Sequence, residues 1–215
     1  MCGRFASVIE WADAMKKFAI TDHDKELRPN YNVAPTQRAA VILDAEPKRA
    51  SAVQWGLIPS WSKVGTMQFS MINARAETLA EKPAYRNLVK RHRCIVLADG
   101  FYEWKKTGKE KQPYLLTYKE GLFGMAGLWD EWHSPDGKET IRTFTIITTG
   151  PNNLMQPIHD RMPVMLTPAQ SKSWLVTGDT DLLKPFPADL MTATRISTLV
   201  NNVKNNNPDV LKPIT

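Results

Sequence analysis

Cysteine at position 2, directly after Met1, is the residue of this chain with the most unusual chemical prospect. Its small side chain is of the kind that lets Met1 be removed, and removal leaves a free α-amine and a thiol on one residue. An α-amine titrates near 7.7–8.0 against about 10.4 for lysine, so at neutral pH its nucleophilic fraction is on the order of several hundred times larger. Such an amine condenses readily with an aldehyde. The sulfur of the same residue can then close on the imine carbon, forming a ring of N, Cα, Cβ, S and the former aldehyde carbon, helped by intramolecular proximity. Cys94 has no such option: its nitrogen lies in a peptide bond, and its setting in Cys94-Ile95-Val96-Leu97-Ala98 reads as core. The plain alternative for Cys2 is a frayed terminus. The capture reading therefore requires the mature Cys2, with Met1 gone, to stand open to solvent beside a cationic groove.

Other chemistries have less support. The histidines are His23, His92, His133 and His159, with no HExxH, no CxxC and no pair at ligand spacing, so no metal is expected. There is no GxGxxG and no Walker loop, and no cofactor is expected. The net charge is +6, and the stretch from Glu81 to Lys111 holds nine basic residues against four acidic ones. So concentrated a run suits a polyanion, because each cation placed on a phosphate releases counterions, although a solvated face is the commoner meaning of a charge run.

The elements that must position these groups are those of an ordinary globular chain. Over 215 residues, 42% are hydrophobic and 23% charged, which excludes fibrous, low-complexity and wholly disordered readings. Two cysteines exclude a disulfide framework and point to a reduced, cytoplasmic compartment. No secretory signal is recognised, and the longest apolar runs fall far short of the ~20 residues that span a bilayer. Apolar spacing predicts a helix over Val8–Phe18, a loop over Asn30–Thr36, and strands over Ala39–Leu43 and Ala52–Ile58. A basic helix is predicted over Ala84–His92, then strands over Cys94–Ala98, Phe101–Lys105, Pro113–Tyr118, Leu122–Leu128 and Phe144–Thr149, with a turn at Asp99-Gly100. Thr167-Pro168 reads as a cap for a final helix to about Val176. Strands outnumber helices, so the expectation is an α+β fold: a single domain over residues 1–215 with a mostly antiparallel, barrel-like sheet flanked by helices.

Six ordered blocks carry a resemblance: Met1-Cys2-Gly3-Arg4-Phe5, Tyr31-Asn32-Val33-Ala34-Pro35, Trp55-Gly56 with Ile58-Pro59, Ile72-Asn73-Ala74-Arg75-Ala76-Glu77, Arg93-Cys94-Ile95 through Ala98-Asp99-Gly100-Phe101-Tyr102-Glu103-Trp104, and Ile158-His159-Asp160-Arg161-Met162-Pro163. Together they resemble the SOS-response-associated peptidase (SRAP) family. The resemblance implies a sensor that crosslinks covalently, through its N-terminal cysteine, to abasic sites in single-stranded DNA. A ring-opened abasic sugar is an aldehyde, so this implication meets the aminothiol argument. It further implies that Cys2 is the nucleophile, Asn73 holds its amine, Glu103 is the catalytic carboxylate and His159 transfers protons, with self-processing of Met1.

Each of these residues also has a plainer role. Asn73 suits a turn or cap, and His159 a hydrogen-bonded loop. For Glu103, strand alternation puts Phe101 and Glu103 on one face and Tyr102 and Trp104 on the other, where a carboxylate beside aromatics is desolvated and its pKa rises; otherwise it points to water. Arg4, Asn32, Trp61, Arg75 and Arg161 are the expected DNA contacts, with the arginines on phosphates and Trp61 stacking on a base. The arginines can instead pair with Glu77 or Asp160, and Asn32 and Pro35 can shape the pocket loop. Ser62 stands where some relatives carry a second aromatic. Trp55, Trp104, Trp129 and Trp132 are expected in the core. The expected partner is single-stranded DNA bearing abasic sites, bound by a monomer in the cytoplasm or at the nucleoid. A thiol peptidase acting on other proteins, with Cys2 and His159 as nucleophile and base, is a second reading, and a noncatalytic single-strand binder a third.

Overall fold

Period-two alternation in the apolar strands sorts their side chains onto two sides, and the sheet closes on itself to keep both dry. The structure, a computed structural model, describes residues 2–67 and 71–214. In chain order the elements are β1 (Phe5–Ser7), α1 (Trp11–Phe18), β2 (Asp22–His23), β3 (Asn30–Val33), β4 (Arg38–Leu43), β5 (Arg49–Trp55), β6 (Asn73–Arg75), α2 (Leu88–Arg91), β7 (Arg93–Ala98), β8 (Gly100–Thr107), β9 (Glu110–Tyr118), β10 (Phe123–His133), β11 (Thr140–Thr149), β12 (Met162–Pro163), β13 (Met165–Leu166), α3 (Pro168–Thr177) and β14 (Met191–Arg195). Strands β5, β4, β7, β10 and β11 pair in that order, and parallel pairing of β11 with β5 completes a closed five-stranded barrel. Val41, Val96, Met125 and Phe144 belong to the cluster that fills it. Their neighbours Ile42, Ile95, Leu97 and Leu128 cluster on the other side with Ala14, Leu88 and Trp174 of the three helices.

A second sheet, β14-β9-β8-β1-β3, lies beside the barrel. The expected α+β class with a mostly antiparallel, barrel-like core is what the molecule has. Among the described residues no helix is long and apolar enough to cross a membrane.

Three local expectations are corrected. Asn30–Val33 is a strand, because Val33 pairs with Phe5 and Asn30 with Ser7 across a bulge; its register comes from a partner far back in sequence. The first helix starts at Trp11 because Asp99 Oδ2 takes the Val8 N–H at 2.6 Å and Glu10 caps the helix by accepting from the Ala12 N–H. Within Ala84–His92 only Leu88–Arg91 is α-helical. Asp99 also does more than turn the chain. It marks where the backbone leaves the barrel at β7 and enters the second sheet at β8.

The Thr167 cap is as expected, with reciprocal bonds between Thr167 and Gln170 and Pro168 at the first turn. At the other end of α3 the Arg93 guanidinium donates to the Trp174 and Leu175 carbonyls at 3.0 and 2.9 Å, satisfying acceptors that the helix terminus leaves open.

The C-terminal tail is tied down at Asn32. Its Nδ2 donates to the carbonyls of Val200, Asn202 and Asn205 at 3.2, 3.1 and 3.0 Å, while its Oδ1 accepts from Arg4 at 2.7 Å. Asn32→Ala strands these buried groups, and each unsatisfied buried partner costs on the order of 1–3 kcal/mol. The expected result is a loss of about 3 kcal/mol in urea unfolding with an unchanged slope; a loss under about 1 kcal/mol would show that the tail is held elsewhere.

Candidate active site

Four segments distant in sequence meet in the seam between barrel and second sheet. Strand β1 runs between β3 and β8, and the residues before it carry Cys2 into the main core cluster. Asn73, at the start of β6, lies beside β11 in parallel register with Ile146, and its Nδ2 donates to the Cys2 carbonyl at 2.8 Å. In the chain that carries Met1, Asn73 thus holds Cys2 by its carbonyl. Its other amide atom, Oδ1, is a buried acceptor with no hydrogen-bond partner among the described residues.

Glu103 enters from β8. Phe101 lies in the same cluster as Cys2, whereas Tyr102 belongs to the cluster under the C-terminal tail, so the alternation expected for this strand holds. Glu103 is 3% exposed. Burial is the main cause that lifts its carboxyl from the usual carboxylate range to about 7.

His159 Nε2 stands 3.9 Å from Glu103 Oε2. Its Nδ1 lies 3.0 Å from the Arg161 backbone N–H and 2.8 Å from Asp160 Oδ1. These two partners serve different charge states: the neutral ring accepts from Arg161 and keeps Nε2–H toward Glu103, while the protonated ring donates Nδ1–H to Asp160. Burial lowers the His159 pKa, which favours the neutral ring at neutral pH. A cleft of about 430 Å³ opens here, lined by Glu103, Trp104, Lys106, Lys111, His159 and Asn201.

The expectation of a solvent-open Cys2 concerns the residue freed of Met1. In the chain that carries Met1 its side chain is fully buried, and burial, reinforced by the Glu103 charge, pushes the thiol far above the usual range. It is equally not a frayed terminus. A buried thiol of this kind stays protonated unless a neighbouring base takes its proton.

The expected nucleic-acid contacts divide. Trp61 is 70% exposed, with Val64 beside it in the same exposed loop. That loop is pinned from beneath: Asp130 Oδ2 accepts the Ser60 N–H at 2.7 Å, and Trp132 Nε1 donates to the Ser62 carbonyl at 2.9 Å. The Arg75 side chain is exposed and makes no hydrogen bond or ion pair among the described residues. Arg161 instead forms a fork on Glu77 at 2.7 and 2.9 Å and donates to the Thr148 carbonyl at 2.6 Å. This pairing holds the Glu77 carboxyl below its usual range. Arg4 donates to Asn32 and to the Val200 carbonyl, with its guanidinium 6.0 Å from the Trp104 ring centroid. Asn32 is 1% exposed and all its amide atoms are used within the fold, so it shapes the site from behind and offers nothing to a nucleic acid. Trp55, Trp129 and Trp132 are core as expected, whereas Trp104 is half-buried and lines the cleft. Lys106, Lys111, Asn201 and Asp130 are parts of the arrangement that were not singled out from sequence; for the two lysines the signal was the basic run itself.

The fold and the site together define a class: α+β proteins in which a closed barrel and a second sheet hold a leading cysteine between an asparagine and a carboxylate–histidine pair. The chain belongs to the SOS response associated peptidase (SRAP) family, which it matches over residues 1–203. It is 45% identical over 223 aligned positions to "Abasic site processing protein YoqW" of Bacillus subtilis, covering 99% of each chain. It is 34% identical to "Abasic site processing protein HMCES" of Xenopus tropicalis, covering 100% of this chain and 78% of that one. The crystal structure of a protein from Bacteroides thetaiotaomicron, 29% identical, superposes over 100% of both chains with a TM-score of 0.88.

Proposed function

We propose that this protein captures abasic sites in single-stranded DNA as a covalent thiazolidine on Cys2, after Met1 has been removed. The observation that carries the reading is the convergence of Asn73, Glu103 and His159 around the one residue able to become an aminothiol. Once Met1 leaves, the unpartnered Asn73 Oδ1 is available to accept a hydrogen bond from the new amine. Loss of Met1 also has to open a path from the cleft to the thiol.

The amine adds to the sugar aldehyde, forming the N–C bond and moving one proton from nitrogen to oxygen. Glu103 in its acid form protonates the resulting hydroxyl, which departs as water and leaves an iminium. Sγ then attacks that carbon as Glu103 takes the thiol proton, and the electron pair returns to nitrogen. One water is released and no redox change occurs. A carboxyl titrating near 7 is suited to both proton transfers, and His159 Nε2 relays protons between it and the cleft. A single strand is required because the sugar must leave the stack to enter the seam. The same pair is proposed to assist release of Met1, and the protein to work on DNA in the cytoplasm.

The test mixes purified protein with a single-stranded oligonucleotide carrying one abasic site. An adduct that survives denaturation is expected, together with an intact mass lacking Met1. Retained Met1, or reversible retardation only, would overturn the reading. Trp61→Ala should weaken reversible retention of an undamaged strand by about 1–3 kcal/mol, the worth of one stacked base, with the thermal midpoint unchanged. Undiminished retention would remove Trp61 from the contact surface.

A further inference from the structure

The basic run from Glu81 to Lys111 does not fold into one patch. Lys82, Arg86, Lys90 and Arg91 are exposed on and before α2, and Lys90 and Arg91 border a separate hollow with Asp44, Pro47 and Leu175. Lys105, Lys106, Lys109 and Lys111 lie on the hairpin of β8 and β9, and Lys106 and Lys111 reach the cleft that holds Glu103 and His159.

One feature sets this hairpin apart from a merely solvated face. Lys106 and Lys111 are direct cross-strand partners in register. Side chains so placed are roughly 4.5–5.5 Å apart at Cβ, and like charges there destabilise a hairpin. None of the four hairpin lysines has an ion pair among the described residues, a condition they share with the exposed cations of α2. No nearby acid forms an ion pair with these lysines: Glu110 faces Thr107, Asp160 lies beside His159, and Glu103, titrating at about 7, is about half protonated at neutral pH. The Lys106 charge already reaches the cleft, where it helps to lower the His159 pKa.

We propose that Lys106 and Lys111 are a two-pronged phosphate clamp for single-stranded DNA, and that the α2 cations are not part of the footprint. The proposal rests on the reading above and adds where the backbone of the strand runs. Lys106 is three residues beyond Glu103 on one strand, about 10 Å away, so a strand whose sugar sits at Glu103 carries its backbone across the paired lysines. The unfavourable like-charge pair is relieved when a phosphate lies between the two ammonium groups.

The test compares Lys106→Gln/Lys111→Gln with Lys90→Gln/Arg91→Gln, which lose equal charge. Affinity for an undamaged single-stranded oligonucleotide is measured against salt concentration. Each phosphate contact on a single strand contributes about 0.7 to the slope of log K on log salt, so the hairpin variant, which loses the one clamped phosphate, should lose about 0.7 from that slope and the α2 variant nothing. An equal decrease in both variants, or none in the hairpin variant, overturns the clamp. The hairpin variant should keep or raise its thermal midpoint, which separates lost contacts from lost folding. Because the strand is undamaged, this result is independent of Cys2: a normal slope change without any adduct on abasic DNA would sink the covalent reading and leave the clamp standing.

Discussion

Cys2→Ala should abolish the denaturation-stable adduct, with a loss on the order of 10³-fold or more, while a borohydride-trapped adduct persists. The alanine variant still has an α-amine once Met1 is gone, so condensation with the aldehyde continues. What it lacks is the sulfur that converts a hydrolysable imine into a closed ring, and intramolecular attack carries effective molarities far above any added thiol. Cys2→Ser should behave like the alanine variant, since a hydroxyl is a poor nucleophile toward the imine carbon at neutral pH. Equal amounts of stable adduct from wild type and Cys2→Ala would show that another residue reacts. Cys94 is the remaining cysteine, and its nitrogen lies in a peptide bond, so it has no amine to condense and cannot close the ring.

Glu103→Gln should do two opposite things. Crosslinking should fall by about 10²–10⁴-fold, the usual worth of a general acid–base group. Stability at pH 8 should rise. Glu103 titrates near 7 in the folded chain against 4.5 when unperturbed, so the folded state binds the extra proton between those values. The stability it contributes is complete below about pH 4.5 and is lost as pH climbs through 7, by about 3 kcal/mol at about 1.4 kcal/mol per unit. Glutamine does not titrate, so the difference in unfolding free energy should shift by that amount in the variant's favour across this window. Denaturant unfolding from pH 4 to 8 reads it directly. A pH-independent difference would mean that the carboxyl is ionised throughout, and would remove it as the acid of the proposed mechanism. The activity profile should also lose its alkaline limb in the variant, because that limb reports Glu103 giving up its proton.

Much of the fold was legible wherever a strand was apolar enough to show its period. Strands β4, β7 and β11 lie where the sequence pattern placed them, to within a few residues. Asn30–Val33 was not legible because half its residues are polar and its pairing partner is β1, about 23–28 positions earlier. The parallel closure between β5 and β11 leaves no local mark at all, since it joins strands about 90 positions apart. The candidate site divides along the same line. Glu103 could be placed on the face of Phe101 from alternation alone, but that Asn73 grips a carbonyl and that Arg161 belongs to Glu77 depends on long-range geometry. Residue type misled at Asn32, where a polar side chain serves the C-terminal tail rather than the surface.

The partners of the leading segment also set a clock on biosynthesis. Strand β1 finds β3 early, but its other edge stays open until β8 has been made, and the Arg4 bond to Val200 spans 196 positions. At ordinary ribosomal speeds of about 5–20 residues per second, roughly 10–40 s pass before the far end of the polypeptide emerges to seal the beginning. Until then the Arg4–Val200 contact cannot form, and the cluster that buries Cys2, which runs as far as Met191, is incomplete.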